Sequence, residues 1–358
     1  MKFSITVNMF RTDPSQDMQE VLKECLELVQ IADEGGFDIA FTAEHHTIET
    51  TISPNPFPLL VHWGEHAKRI RLGTGIISAP YWHPIRLAGE AALTDLILEG
   101  RLELGIGRGS YQYEFDRMAD GMPQGDGGKY LREITPLLPK LWAGDYAHNG
   151  DLFKFPNATS VPKPLQKGGP PIWIAARDPN TFDFAVRNGF NIMSTPLQRP
   201  YEEVVDLCNK FETTVENNPT VPRPEHMLMR RACVYENEDD WEIPVNATIE
   251  FGRYFENLFK NLGDVKNGFT EPVDFDVVAN KGDYSPEALH ENMIFGTPEQ
   301  VIEKLTSYQL AGVNNYMYLA RFGVPHKIAK RSLELFCRDV IPHFQKDGVT
   351  NQPIAISN

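Results

Sequence analysis

At 358 residues the chain could form one large barrel or two smaller domains, and a 41% content of hydrophobic residues is enough for a sizeable core. Its 49 aspartates and glutamates outnumber its 34 lysines and arginines, which leaves a formal net charge of −15. Such an acidic chain has no basic stripe to bind a phosphate polymer, which argues against a nucleic-acid partner.

The cysteines and the apolar stretches indicate the compartment. Four cysteines stand singly along the chain, with no CxxC pair and no spacing typical of a metal site. No apolar run reaches the 18 residues that a membrane helix needs, and the first residues do not read as a signal peptide. We therefore expect a reduced, soluble, cytoplasmic protein without disulfides and without a membrane partner.

Short apolar segments typical of strands alternate along the chain with segments of helical periodicity. Eight segments are predicted as strands: 3–9, 37–43, 71–77, 102–106, 172–176, 191–194, 227–235 and 313–319. Helices are predicted between them, and Pro136 and Pro139 should kink or shorten the one at 129–141. Eight strands alternating with helices predict an α/β fold of the (β/α)8 class, the TIM barrel.

The alternative fold is an open, doubly wound sheet, which is less favoured because no GxGxxG motif follows the first strand. Two insertions are expected within a single barrel domain of residues 1–345. Segment 146–170 carries Pro, Gly and aromatic residues, which suits a β-hairpin. Segment 261–292 is too long for a connection and is predicted to be a mobile lid before the last βα unit. Residues 346–358 are expected to form a flexible tail.

Two of the predicted strands end in residues that can do chemistry. The strand at 37–43 runs into Glu44-His45-His46, and the strand at 102–106 runs into Gly107-Arg108-Gly109. The carboxyl ends of parallel barrel strands meet at one rim, so these residues are expected to share a site. A glycine-flanked arginine at a strand end is suited to a phosphate. Adjacent histidines point to opposite sides of a strand, so we expect no shared metal ion.

These segments belong to an ordered series of motifs, and together they resemble the bacterial luciferase-like, flavin-dependent monooxygenase family. The resemblance covers about residues 1–195 and 293–342, whereas 200–290 matches weakly. Its other motifs are the strand Lys2–Met9, Ala32–Asp38, Leu72–Ile77, His83–Arg86, Gly100–Gly105, Pro171–Ala176 and Phe295–Glu299.

The resemblance implies an enzyme that uses FMN in its reduced form, FMNH2. In the implied reaction, FMNH2 and O2 form a C4a-hydroperoxide that transfers one oxygen atom to a small organic substrate. His45 would lie beside the reactive edge of the flavin and supply or hold the proton. No segment resembles a nicotinamide site, so a separate NAD(P)H-dependent flavin reductase is the expected partner. The family also implies a homodimer.

The same resemblance implies the cofactor-binding residues. Arg108 and Gly109 would bind the FMN phosphate, and a second phosphate element would be formed by Ala176, Arg177, Asp178 and Thr181. The alternative for Arg177 is a surface arginine paired with Asp178 or Asp183. A non-proline cis peptide between Gly75 and Ile76 would lie against the flavin. Glu44 would anchor its loop or pair with Arg108.

Aromatic residues near the predicted strand ends are candidates for the substrate wall: Tyr81, Trp82, His83, Tyr111 and Phe322. Each of them could equally be a packing residue. Two other functions remain open: a deazaflavin-dependent hydride-transfer enzyme of the same barrel superfamily, and a non-catalytic flavin-binding protein. The identity of the substrate is not specified by the sequence.

Overall fold

The computed structural model describes residues 1–346. The strands in this part of the chain are β1 Lys2–Thr6, β2 Ile39–Thr42, β3 Arg71–Ser78, β4 Leu102–Gly107, β5 Tyr146–Asn149, β6 Lys154–Ala158, β7 Ile172–Ala175, β8 Asn191–Ser194, β9 His226–Val234, β10 Val265–Lys266, β11 Phe269–Thr270, β12 Ile294–Gly296 and β13 Asn315–Leu319. The helices are α1 Met18–Gly35, α2 Pro56–His66, α3 Pro84–Ile97, α4 Gln112–Met118, α5 Gly127–Ile134, α6 Leu137–Ala143, α7 Pro179–Arg187, α8 Tyr201–Glu216, α9 Glu242–Lys260, α10 Phe275–Ala279, α11 Pro286–Asn292, α12 Pro298–Leu310, α13 His326–Leu335 and α14 Ile341–Lys346.

Eight parallel strands close into a barrel in the order β1, β2, β3, β4, β7, β8, β9, β13, and β13 pairs with β1 to complete the circle. These are the eight strands predicted from the sequence, so the (β/α)8 fold is confirmed. The structure adds β12, a short strand that pairs with β9 outside the closed barrel. The predicted hairpin is present as β5 and β6, and the predicted interruption at Pro136 separates α5 from α6.

Side chains alternate between the two faces of each barrel strand, as the strand period requires. The interior cluster includes Ile39 and Phe41 of β2 and Met227 of β9, with Met229 packed against it. The other face of the strands contributes to a larger core against the surrounding helices, which includes Leu228. The alternation continues to the carboxyl ends of the strands, where the functional residues follow.

Segment 261–292, predicted as a long lid-like loop, contains the antiparallel hairpin β10–β11 and the short helices α10 and α11. It buries Val278, Tyr284 and Leu289 in a second hydrophobic cluster with residues of α9 and β9. The segment is therefore a folded insertion with its own packing, and its role as a lid stays a prediction. The expected tail at 346–358 lies outside the described residues apart from Lys346.

Within residues 1–346, no helix is both long enough and apolar enough to cross a membrane. The same residues contain no group of three or more His, Cys, Asp or Glu side chains arranged to hold a metal ion. All four cysteines are free.

Candidate functional site

His45 follows β2 at the carboxyl-end rim of the barrel and is paired with a buried carboxylate. Its Nδ1 lies 3.1 Å from Oε2 of Glu114, a residue of α4 that is only 1% exposed. The backbone N–H of His46 also donates to Glu114, at 2.6 Å. The imidazole of His45 stacks on Tyr111, with ring centroids 5.0 Å apart. These contacts fix both the tautomer and the orientation of the His45 ring.

The environment of His45 favours its protonated form. Burial acts to lower the pKa of His45, but the charge and hydrogen bond of Glu114 and the charge of Glu44 outweigh it. The pKa of His45 is therefore raised above its ordinary value. The raised pKa shifts His45 toward its protonated form, so it is suited to donate a proton.

Glu44 anchors the loop that carries the two histidines. It accepts hydrogen bonds from the Ser78 N–H at 2.7 Å and from Trp82 Nε1 at 2.9 Å, and its Oε1 lies 2.8 Å from His46 Nε2. Of the two roles expected for Glu44, the structure has the anchor, and it makes no ion pair with Arg108. The first of the two histidines is left free of Glu44 hydrogen bonds and faces Glu114 instead.

The carboxyl ends of β3 and β4 form a floor with little side-chain bulk. The Gly75–Ile76 peptide is cis, as the resemblance implied. At Gly107 an added Cβ would meet Ile76 Cδ1 at 2.9 Å, so this position cannot carry a larger side chain without displacing its neighbour. Gly75 and Ile76 are themselves only partly buried, so this segment presents an apolar surface at the rim. Such a surface fits a planar cofactor in the position expected for the flavin.

Arg108 and Gly109 lie directly after β4. Gly109 has φ of +84°, a conformation that favours glycine, and an added Cβ there would meet the Phe115 ring at 2.8 Å. Arg108 is exposed, and no hydrogen bond or ion pair of its side chain occurs within residues 1–346. The guanidinium is therefore available to an anion at the rim.

The expected second phosphate element, after β7, is occupied by contacts within the chain. Asp178 caps α7, since its carboxylate accepts from the Thr181 N–H at 3.0 Å and from the Thr181 hydroxyl at 2.7 Å. Arg177 pairs with Glu203 at 2.8 Å rather than with either of the aspartates considered from the sequence. Ala176 is buried. Thr181 is therefore not free to contact phosphate in this structure, whereas Arg177 is bound only through a partly exposed ion pair.

The candidate wall residues fall into two groups. Tyr111 lies against His45, and Tyr81 packs edge-on against His46 with a buried hydroxyl that has no hydrogen-bond partner within residues 1–346. The structure brings these two tyrosines to the histidine pair. The other three candidates are engaged elsewhere, each by a different contact.

Trp82 is buried and donates to Glu44, so it supports the loop rather than lining a surface. His83 caps α3 through the Ile85 N–H and packs against Phe153 beside the β5–β6 hairpin. Phe322 has no exposed surface and stacks on another ring of the second hydrophobic cluster. The positions of these three residues do not favour contact with a substrate. Such contact stays a prediction.

Two residues of the site were missed in the sequence. Glu114 follows the Gly-Arg-Gly turn within a run of aromatic residues, and an isolated acid in such a run is a signal for a buried partner. Arg231 lies near the carboxyl end of β9, on the interior face with Met229. Arg231 could have been predicted in the same way as His45 and Arg108, because it also lies near the carboxyl end of a barrel strand.

Comparisons with known proteins agree with this fold. The family model described as luciferase-like monooxygenase matches residues 1–315. Over 357 residues the chain is 42% identical to the flavin-dependent trigonelline monooxygenase, oxygenase component, of Acinetobacter baylyi, a match that covers 100% of this chain and 99% of that protein.

Solved structures show the same fold. The monooxygenase RslO1 of Streptomyces bottropensis superposes with a TM-score of 0.80 at 24% identity, covering 96% of this chain and 100% of that one. The oxygenating constituent of 3,6-diketocamphane monooxygenase from Pseudomonas putida, solved with FMN, has a TM-score of 0.76 at 19% identity, covering 96% and 98%. The chain belongs to the luciferase-like monooxygenase family. It is a flavin-dependent monooxygenase.

Proposed function

We propose that the protein is the oxygenase component of a two-component enzyme that uses FMNH2 and O2 to transfer one oxygen atom to a small ring compound. The observation that carries this proposal is the His45–Glu114 pair, because it holds a proton donor at the rim beside the partly buried Gly75–Ile76 segment, whose apolar surface suits a flat cofactor. Reduced FMN, when bound, supplies the electrons and activates the O2.

His45 serves as the proton donor in this proposal. Glu114 occupies its Nδ1, which leaves Nε2 as the ring nitrogen available to a bound molecule. The raised pKa of His45 favours its imidazolium form. Tyr111 covers one face of the imidazole and in turn contacts Phe255 of α9, so this side of the site excludes water.

Arg108 is the proposed ligand of the FMN phosphate, because it is a free cation directly after a strand, and Gly109 allows the backbone to turn there. Arg177 is the proposed second cation, which would exchange Glu203 for the phosphate. Asp178 and Thr181 then act on the phosphate only indirectly, since they hold the first turn of α7 in place.

The proposed partner and substrate class are supported by the relative in Acinetobacter baylyi. The words "oxygenase component" in its name support a separate NAD(P)H-dependent flavin reductase as the partner of this chain. Trigonelline is an N-methylated pyridine ring, and the aromatic residues around His45 support a ring compound of this kind as substrate. The cytoplasm is the proposed compartment.

A homodimer is also proposed, and its support lies on α3. Leu93, Leu96 and Ile97 are 50%, 39% and 45% exposed. Their spacing of three and four residues places them on one face of the helix, and a row of exposed apolar side chains is typical of an interface.

The test of the function is oxygen uptake with chemically reduced cofactor. We expect FMNH2 to be oxidised by the protein with product formation when trigonelline or a related ring compound is present, and with hydrogen peroxide release in its absence. Titration followed by absorbance should show binding of FMN. Binding of the deazaflavin cofactor in its place, with hydride transfer and no oxygen uptake, would contradict the proposal.

A further inference from the structure

Arg231 is a buried cation without a partner inside the fold. Its side chain lies near the carboxyl end of β9, and the residue is 9% exposed. Within residues 1–346 its guanidinium makes no ion pair, and the buried Nε has no hydrogen-bond partner. Buried arginines are normally paired, because an isolated charge removed from water is strongly unfavourable.

The preceding residue on this strand is hydrogen-bonded to the fold through its two terminal nitrogens. Arg230 is also buried and its Nε likewise has no partner within residues 1–346, but its terminal nitrogens donate to the backbone carbonyls of Asn292 and of Arg199, the second at 2.8 Å. It lies on the outer face of β9, against α12, whereas Arg231 shares the interior face with Met229. The outward arginine therefore donates to the backbone of the fold, and the inward one makes no hydrogen bond or ion pair within residues 1–346.

Arg231 belongs to the same site as His45. The Arg231 Cζ lies 5.3 Å from the centroid of the Phe251 ring on α9. Phe255, four residues further along this helix, packs against Tyr111 with ring centroids 6.5 Å apart, and Tyr111 stacks on His45. In agreement with this geometry, the charge of Arg231 opposes the rise in the pKa of Tyr111 that burial causes.

These surroundings combine a fixed positive charge with aromatic walls. A guanidinium stays charged even when burial acts to lower its pKa, so the site keeps its charge at every working pH. Its planar fork matches a carboxylate through two parallel hydrogen bonds. The rings of Tyr111, Phe251 and Tyr284 suit the flat apolar body of a molecule that carries the carboxylate.

We propose that Arg231 binds the carboxylate of an aromatic substrate and makes the enzyme selective for acids over their uncharged analogues. The proposal rests on the proposed function, because it takes the occupant to be the substrate. It assigns the phosphate of FMN to Arg108, which lies after a different strand. It also assigns the substrate contact to a guanidinium that makes no ion pair or hydrogen bond within residues 1–346.

Calorimetric titration of pairs of ligands that differ only in the acid group tests the proposal. Suitable pairs are trigonelline with 1-methylnicotinamide, in which the methyl group is also on the ring nitrogen, and nicotinate with nicotinamide. Each pair is measured with and without FMN. We expect the wild-type protein to bind the acid of at least one pair about 10- to 100-fold more tightly than the amide, the range of charge-assisted hydrogen bonds. Arg231→Met should remove this preference, and Arg231→Lys should keep part of it.

The control variant is Arg253→Met. Arg253 lies on α9, and its charge is already paired with Glu250 at 2.8 Å, so its loss should leave the preference for acids intact. Circular dichroism of each variant checks that it is folded, and the wild-type comparison of acid with amide needs no variant at all.

Three outcomes would overturn the proposal: no acid bound more tightly than its amide by wild type, an unchanged preference in Arg231→Met, or a loss of FMN affinity in Arg231→Met with the preference intact. The last outcome would assign Arg231 to the flavin. Failure of the proposed function is distinguishable, since the acid preference would persist in calorimetry while oxygen uptake showed no response to any substrate.

Discussion

Both ends of the barrel bury ionisable side chains, but only the amino end gives each a partner inside the fold. There, Glu103 accepts hydrogen bonds from Arg71 Nε at 2.5 Å and from Trp173 Nε1 at 2.7 Å. At the carboxyl end, the Arg231 guanidinium and the Tyr81 hydroxyl have no such partner within residues 1–346. Buried polar groups that are fully hydrogen-bonded stabilise a fold. Unpaired donors at the rim of a barrel indicate a site where a ligand supplies the missing hydrogen bonds.

Two buried histidines show the same difference in their protonation. His226, the first residue of β9, lies 3.1 Å from the Ser194 hydroxyl and packs against Phe211, and burial lowers the pKa of His226 to about 3. His45 is also largely buried, but Glu114 and Glu44 raise its pKa. Burial alone favours the neutral form of a histidine, and adjacent carboxylates favour the charged form. The histidine with the raised pKa is at the carboxyl end of the barrel.

The sharpest test of this comparison is the loss of His45. His45→Ala should lower turnover by ~10²–10⁴-fold, the range for general acid–base catalysis, while FMN binding is retained. Steady-state kinetics and flavin titration measure the two effects. His66→Ala, at the exposed end of α2, is the control and should change neither. Wild-type turnover in His45→Ala would assign the proton to another group, with His83 as the next candidate.

At the amino end, the expected effect is on stability. Glu103→Gln breaks a buried charged pair and should lower the free energy of unfolding by about 2–3 kcal/mol, less than for a fully buried pair because Arg71 is about a third exposed. Urea unfolding measures the change, and turnover of the folded variant should be unchanged. Glu90→Gln, which breaks the surface pair with Arg86, is the control and should cost less than about 1 kcal/mol. Lost turnover in folded Glu103→Gln would contradict the division between the two ends.

Arg108→Ala should weaken the binding of reduced FMN by about 1.5–3 kcal/mol, because a charge-assisted hydrogen bond to the phosphate is lost. Anaerobic titration measures the affinity. The matched control is Arg117→Ala on α4, where the guanidinium covers the Tyr113 ring. Equal affinities in both variants would remove Arg108 from the phosphate site and leave Arg177 as its main cation.

His226 and His45 should affect the pH dependence of the free energy of unfolding in opposite directions. The folded pKa of His226 lies below its unfolded value, so stability is lost as pH falls below about 6.5, by at most ~1.4 kcal/mol per pH unit. The folded pKa of His45 is raised, so its contribution is full below the unfolded pKa and is lost as pH rises through the folded pKa.

Urea unfolding at a series of pH values separates these two contributions. His226→Gln should flatten the acid side of the stability profile, and Glu114→Gln should flatten the side above neutrality by removing the main carboxylate partner of His45. An acid-side change in Glu114→Gln without any change above neutrality would show that the His45 pair does not titrate as described.

The barrel was predictable from the sequence because each strand carries its own signal, a short apolar run bounded by breakers. Strand β12 was missed because Ile294–Gly296 is three residues long and its pairing with β9 is decided by tertiary contacts. Segment 261–292 was read as a loop because its hairpin and helices are each too short to show a period.

The sequence could select candidate site residues only where they follow a strand end, as His45 and Arg108 do. Their roles stay predictions. The partnership of His45 with Glu114 was missed because it joins residues 69 positions apart, and no local pattern encodes it. Arg230 and Arg231 are chemically identical neighbours, and only the face of the strand decides which one donates to backbone carbonyls of the fold. The cap of α7 likewise could not be predicted, because it depends on the Asp178 side chain turning back to accept from the Thr181 N–H.

The β10–β11 hairpin is fastened to the loop that carries His45. The Glu49 N–H donates to the Gly268 carbonyl at 2.8 Å, and Arg11, which pairs with Glu49, lies over the Phe269 ring at 5.1 Å from its centroid. Any motion that lifts this hairpin from the barrel must break that bond. Deuterium uptake at the single amide of Glu49 would therefore report how readily the insertion separates from the loop that carries His45.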